Sequence, residues 1–95
     1  MDSDVLKIYE KLHESYPISV KSSLAVSPNF KTDFPILCGI SNLGKFEVFF
    51  DDISFPFYAM NNNGDVFAHW HLQTAQEVEE TIVNFMEGNM VREYL

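Results

Sequence analysis

Hydrophobic positions follow two rhythms along the chain, and each predicts an element. Val5, Ile8, Tyr9 and Leu12 recur at helical spacing, the stripe that one face of an α-helix presents to a core. Asp2, Ser3 and Asp4 precede them, side chains that cap a helix start and favour its positive end. The pattern predicts a first helix to about Ser15, closed by Pro17. There the period shortens to two. Ile18, Val20, Leu24 and Val26 alternate with Ser19, Lys21, Ser23 and Ala25, as in a strand with one buried face, although Ser22 interrupts the apolar side. The following segment, Ser27-Pro28-Asn29-Phe30-Lys31-Thr32-Asp33, mixes turn formers with polar residues and reads as a loop.

Beyond it the chain reads as an antiparallel meander. Phe34 to Ser41 is an apolar run, Asn42-Leu43-Gly44 a turn, and Phe46, Val48 and Phe50 then alternate with Lys45 and Glu47, which predicts a hairpin. After Asp51-Asp52, residues Ile53, Phe55, Phe57 and Ala59 line one side of the next strand and Ser54, Tyr58 and Met60 the other. Pro56 marks an edge or a bulge, because it cannot donate to a ladder. Asn63-Gly64 suits a two-residue type I′ turn, which needs positive φ at both positions. That turn sets Met60 opposite Phe67, Ala59 opposite Ala68, Tyr58 opposite His69 and Phe57 opposite Trp70. One face, with Phe55, Phe57, Ala59, Ala68, Trp70 and Leu72, is then the core. The reverse face carries Tyr58, Met60, Phe67, His69 and His71.

The last element begins at Thr74, which with Glu77 has the spacing of a capping box. Val78, Ile82, Phe85 and Met86 share one face, and Gly88 is placed to end the helix in the left-handed conformation, so a helix over about Ala75 to Glu87 is expected. Two helices with one apolar stripe each are satisfied by covering a single sheet face. The expected fold is therefore α+β, a two-layer sandwich in which a four- or five-stranded antiparallel meander carries the N- and C-terminal helices on one face. With 95 residues, 1–95 is read as a single domain.

Charge sharpens this picture. The net charge is -8, with six acids against five lysines over residues 1–50 and eight acids against Arg92 over 51–95. A field of that sign repels phosphate backbones and anionic lipid, so neither nucleic acid nor membrane is an expected partner. Glu77, Glu79 and Glu80 have a local explanation, because the positive end of a helix attracts carboxylates. A lone cysteine, Cys38, and a start without a basic region and long apolar run fit a reducing, cytoplasmic setting. No apolar run reaches the roughly 20 residues of a membrane-spanning helix.

Residues that carry chemistry are few. His69-Trp70-His71 places two imidazoles on one side of a strand, a spacing that can converge on a metal ion. A zinc site would still need a further ligand, for which His13, Cys38 and Glu77 are the candidates; the plainer reading is two histidines beside Tyr58 on an exposed face. Cys38, between Leu37 and Gly39, reads as a core cysteine. Asn61-Asn62-Asn63-Gly64-Asp65 lacks the alternating acids and distal glutamate of a calcium loop and is a turn. Phosphate-binding loops, nucleophile elbows and paired metal-binding cysteines are missing from the sequence, so no catalytic residue and no cofactor are expected.

The expected function is accordingly a small acidic, non-enzymatic protein-binding module. Its aromatic centre would be Tyr58, Met60, Phe67, His69 and His71, bordered by Asp51, Asp52 and Asp65, and its partner a basic protein. An immunity protein or antitoxin neutralising a basic, nuclease-like toxin would have this size and charge. Two alternatives share the same observations: a metal-binding protein using His69 and His71, and a phage-type inhibitor or self-associating subunit that forms a homodimer.

Overall fold

The computed structural model describes residues 3–27, 30–50 and 54–89. Helix α1 (Ser3–Leu12) leads into five strands, β1 (Ile18–Ser27), β2 (Phe30–Ser41), β3 (Gly44–Phe49), β4 (Phe55–Met60) and β5 (Val66–Leu72), and helix α2 (Ala75–Met86) follows. The strands form one antiparallel sheet in chain order, β1-β2-β3-β4-β5. The fold is the expected α+β meander with five strands.

Alternation decides what each strand buries. Leu37, Phe46, Val48, Phe57, Ala59, Ala68, Trp70 and Leu72 point to one face, where α1 contributes Val5, Ile8 and Leu12 and α2 contributes Val78, Ile82 and Phe85. Aromatic rings organise the centre of this layer. Phe57 stacks on Phe46 with ring centroids 5.3 Å apart, and Phe85 of α2 meets both edge-on at 5.7 and 6.0 Å. Such offset and edge-to-face pairs add to the burial of area itself.

Helix α2 begins as its sequence demands: the Thr74 hydroxyl accepts the Glu77 backbone N–H at 3.1 Å, satisfying one of the donors left open at a helix start. It ends at Gly88, whose φ is +82°. Tyr16, in the turn after α1, donates its hydroxyl proton to Glu87 at the end of α2, 2.5 Å away. That bond raises the Tyr16 pKa, helped by desolvation and by the nearby negative charge. A raised folded-state pKa for this acid means the contact contributes below the ordinary tyrosine range and is lost as pH rises through the folded value. Tyr16→Phe is expected to remove a phenolate that ionises above that range, visible as a missing late portion of the ultraviolet tyrosine titration.

Three local readings are corrected. The segment expected to be a loop at Ser27–Asp33 is mostly strand, since β1 pairs with β2 out to Ser27↔Phe30. Ladder bonds satisfy backbone groups whatever the side chains, so a hairpin arm extends past its apolar pattern. The turn after β4 is not type I′, because Asn63 does not have positive φ while Gly64 does, at +88°. Gly64 N–H instead closes on the Asn61 carbonyl at 3.0 Å, Asn61 N–H on the Asp65 carbonyl at 2.9 Å, and Asn61 Oδ1 accepts the Asn63 and Asp65 N–H groups. This three-residue loop shifts the register by one, so Met60 faces Val66 rather than Phe67. An irregularity between Ala59 and Met60 shifts it back, leaving Ala59↔Ala68, Tyr58↔His69 and Phe57↔Trp70 as expected. Pro56 lies inside the sheet order, but where the β3 ladder has ended, since β3–β4 pairing stops at Val48↔Phe57. Its missing N–H therefore costs no bond to β3.

Candidate functional site

With both helices on one face, the reverse face of the sheet is left to the side chains of the alternate positions. Strand register orders them into rows. One row runs Ser19, Cys38, Glu47, Tyr58, His69 across all five strands. A second runs Lys21, Ile36, Phe49 from β1 to β3, and a third Ile40, Lys45, Met60, Val66 from β2 to β5.

The first row contains the polar contacts. Tyr58 and His69 stack face to face, 4.4 Å between centroids and 7° between planes, and Phe49 meets Tyr58 edge-on at 5.6 Å. His71 meets His69 edge-on at 4.6 Å. Four rings, Phe49, Tyr58, His69 and His71, thus form one continuous group over β3, β4 and β5. Phe49 is the member the sequence reading missed; the alternation of Lys45, Glu47 and Phe49 opposite Phe46 and Val48 was the signal for it. Glu47 takes Lys21 from the neighbouring row in an ion pair of 2.7 Å. Hydrogen bonding to Glu47 raises the Lys21 pKa, with the carboxylate's charge adding and desolvation opposing. Half-exposed pairs of this kind contribute only ~0–1 kcal/mol.

Cys38 is corrected here. Leu37 and Gly39 face the core, so Cys38 faces outward, half-buried, with Sγ 3.2 Å from the Ser19 hydroxyl. An unbroken apolar run such as Ile36-Leu37-Cys38-Gly39-Ile40 conceals which positions point inward, and only pairing with β1 and β3 decides it. Beside it, Pro17, Ser19, Lys21, Ile40, Lys45 and Met60 border a shallow depression of about 400 Å³.

The third row and its continuation carry exposed apolar side chains at both ends, with exposed Lys45 and half-buried Met60 between them. Ile40, Val66 and Phe67 are three of the four large hydrophobic side chains exposed among the described residues. Of the expected site residues, Tyr58, Met60, His69 and His71 lie on the free face as a group, Phe67 lies beside Val66 at the hairpin end, and Asp65 is exposed in the turn. Asp51 and Asp52 lie outside the described residues. The acids of the C-terminal half that are described, Asp65 apart, belong to α2 and its cap and so to the other layer.

The three candidate further ligands do not join the histidine pair. His13 follows α1, stacked on Tyr9 with its Nδ1 3.0 Å from the Tyr9 carbonyl, and Glu77 is on α2. Cys38 is three strands from His69, roughly 14 Å at ordinary strand spacing. Among the described residues no three His, Cys, Asp or Glu side chains converge as a metal site, and no helix is long and apolar enough to cross a membrane. None of the family models, curated proteins or solved structures compared with the chain matches it.

Proposed function

We propose that this chain is a non-enzymatic protein-binding module that docks a basic partner protein on the free face of its sheet. The observation that carries the reading is the ring group of Phe49, Tyr58, His69 and His71, half-buried at Phe49 and Tyr58 and exposed at the two histidines, with Ile40, Val66 and Phe67 exposed on the same sheet. Aromatic anchors amid apolar neighbours are the side chains that supply binding energy at interfaces. The net charge of -8 supports a basic partner, because a complementary field speeds encounter. An inhibitor of a basic enzyme, as immunity proteins and antitoxins are, is the specific form of this reading, and the lone cysteine fits its working in a reducing, cytoplasmic setting.

The test separates anchor from field. Capture from the source cell's lysate is compared, across a salt series, for the native chain, for Tyr58→Ala, and for the triple variant Asp51→Lys, Asp52→Lys, Asp65→Lys. One protein is expected to be retained by the native chain, to be retained less as salt rises, and to be lost with Tyr58→Ala. Charge reversal should weaken capture most at low salt, where screening is least. Capture indifferent to all three changes would sink the proposal.

A further inference from the structure

Strand β5 is an edge of the sheet, and an unusually undefended one. Among the described residues it pairs with β4 alone, and Val66-Phe67-Ala68-His69-Trp70-His71-Leu72 contains none of the Lys, Asp, Glu or Pro residues that keep edges from pairing with another chain. Its outward backbone groups belong to the two histidines. Opposite His71 stands Pro56, which has no N–H, and the His71 carbonyl accepts a hydrogen bond from Gln73 Nε2 at 3.2 Å. His71 therefore turns its N–H and C=O away from β4, and His69, two residues earlier, does the same.

The side chains of these residues have the spacing of two ligands to one metal ion. Their ring centroids lie 4.6 Å apart, and two imidazoles sharing one tetrahedral ion stand about 5 Å apart between centroids. Tyr58, stacked on His69, holds that ring's plane. Among the described residues of one chain the ion would have two protein ligands, since His13, Glu77 and Cys38 are elsewhere.

A second copy completes the set. Antiparallel pairing of two β5 edges about a twofold axis at Trp70 puts His69 opposite the partner's His71, and His71 opposite the partner's His69. These are hydrogen-bonded pairs using the outward groups just described, with the two Trp70 positions as the non-bonded pair between them. All four imidazoles then project from one side, from Cα positions about 5.5 Å apart across the junction and about 7 Å apart along each strand. We infer that two copies of this chain join edge to edge at β5 around one zinc ion held by His69 and His71 of each. Four imidazoles in that arrangement suit tetrahedral Zn²⁺. A divalent cation at the junction also offsets the repulsion between two chains that each carry -8. Gln73 releases the His71 carbonyl, which takes the N–H of the partner's His69 in exchange.

This inference uses His69 and His71, which also belong to the ring group proposed above as the docking face, but it does not rest on that reading. It is tested on tag-free chain stripped with chelator, by sedimentation equilibrium with zinc or magnesium and by counting bound metal. With zinc the mass is expected to double at one ion per two chains, and with magnesium to remain that of one chain. His69→Ala and His71→Ala should each lose the dimer while keeping the far-ultraviolet circular dichroism of the native chain. Should either variant unfold, His69→Asn and His71→Asn, which keep size and polarity, serve the same comparison. The inference is overturned by a monomer in zinc, by one ion per chain without a change in mass, or by a zinc dimer that survives the histidine replacements.

Discussion

Replacing Phe57 by alanine is expected to destabilise the fold by about 3–5 kcal/mol, the range for removing a fully buried aromatic ring. Phe57 is 0% exposed. Its ring lies between Phe46 at 5.3 Å, Trp70 at 5.4 Å and Phe85 at 6.0 Å, so truncation removes a contact with β3, with β5 and with α2 at once. The backbone of β4 is held by ladders on both sides and cannot collapse into the space. For a domain of this length the melting temperature should fall by at least about 12 °C. Phe49→Ala, on the free face, loses one edge contact with Tyr58 and is expected to cost only about 1 kcal/mol. Urea unfolding of the two variants side by side checks the assignment of the faces: if Phe49→Ala proves as costly as Phe57→Ala, the helices do not cover the face described.

Gly44→Ala is expected to be nearly as damaging, for a different reason. Gly44 has φ +133°, and a Cβ there would stand 2.1 Å from the Met60 carbonyl oxygen and 3.2 Å from its carbon. That neighbour is backbone, paired with Lys45 in the β3–β4 ladder, so it cannot swing aside as a side chain would. The strained conformation costs about 1–3 kcal/mol. Overpacking adds a similar amount. Gly64→Ala is the control: its φ is +88°, but nothing lies within 4 Å of the added methyl group, so only the conformational cost of about 1–2 kcal/mol applies. Unfolding midpoints that fall equally for the two variants would show that the close approach of β3 to β4 at Gly44 does not matter.

Both variants act where the chain's pattern is strongest, and there the architecture was legible. The apolar stripes of α1 and α2 and the alternation of Phe46-Val48 and Phe55-Phe57-Ala59 each state which way a segment faces, because burial rewards one period and penalises the other. The β4–β5 register from Ala59 down also follows the sequence pattern, although the turn differs from the type I′ expected. A three-residue loop and an irregularity one step later cancel, since the core tolerates only a register that keeps Ala68, Trp70 and Leu72 inward.

The elements other than the strand over much of Ser27–Asp33, the helix-covered face and the placing of Tyr58, His69 and His71 opposite it were thus legible in the chain. These follow from local period and turn chemistry, which neighbouring residues contain. Only the tertiary structure decided that Cys38 faces outward, that Phe49 joins the ring group, that Glu47 takes Lys21, and that β5 is left as an edge with its histidine backbone groups outward. Each of these depends on strand order and on pairing between segments far apart in the chain, where an apolar run or a lone charge looks the same whichever neighbour it meets.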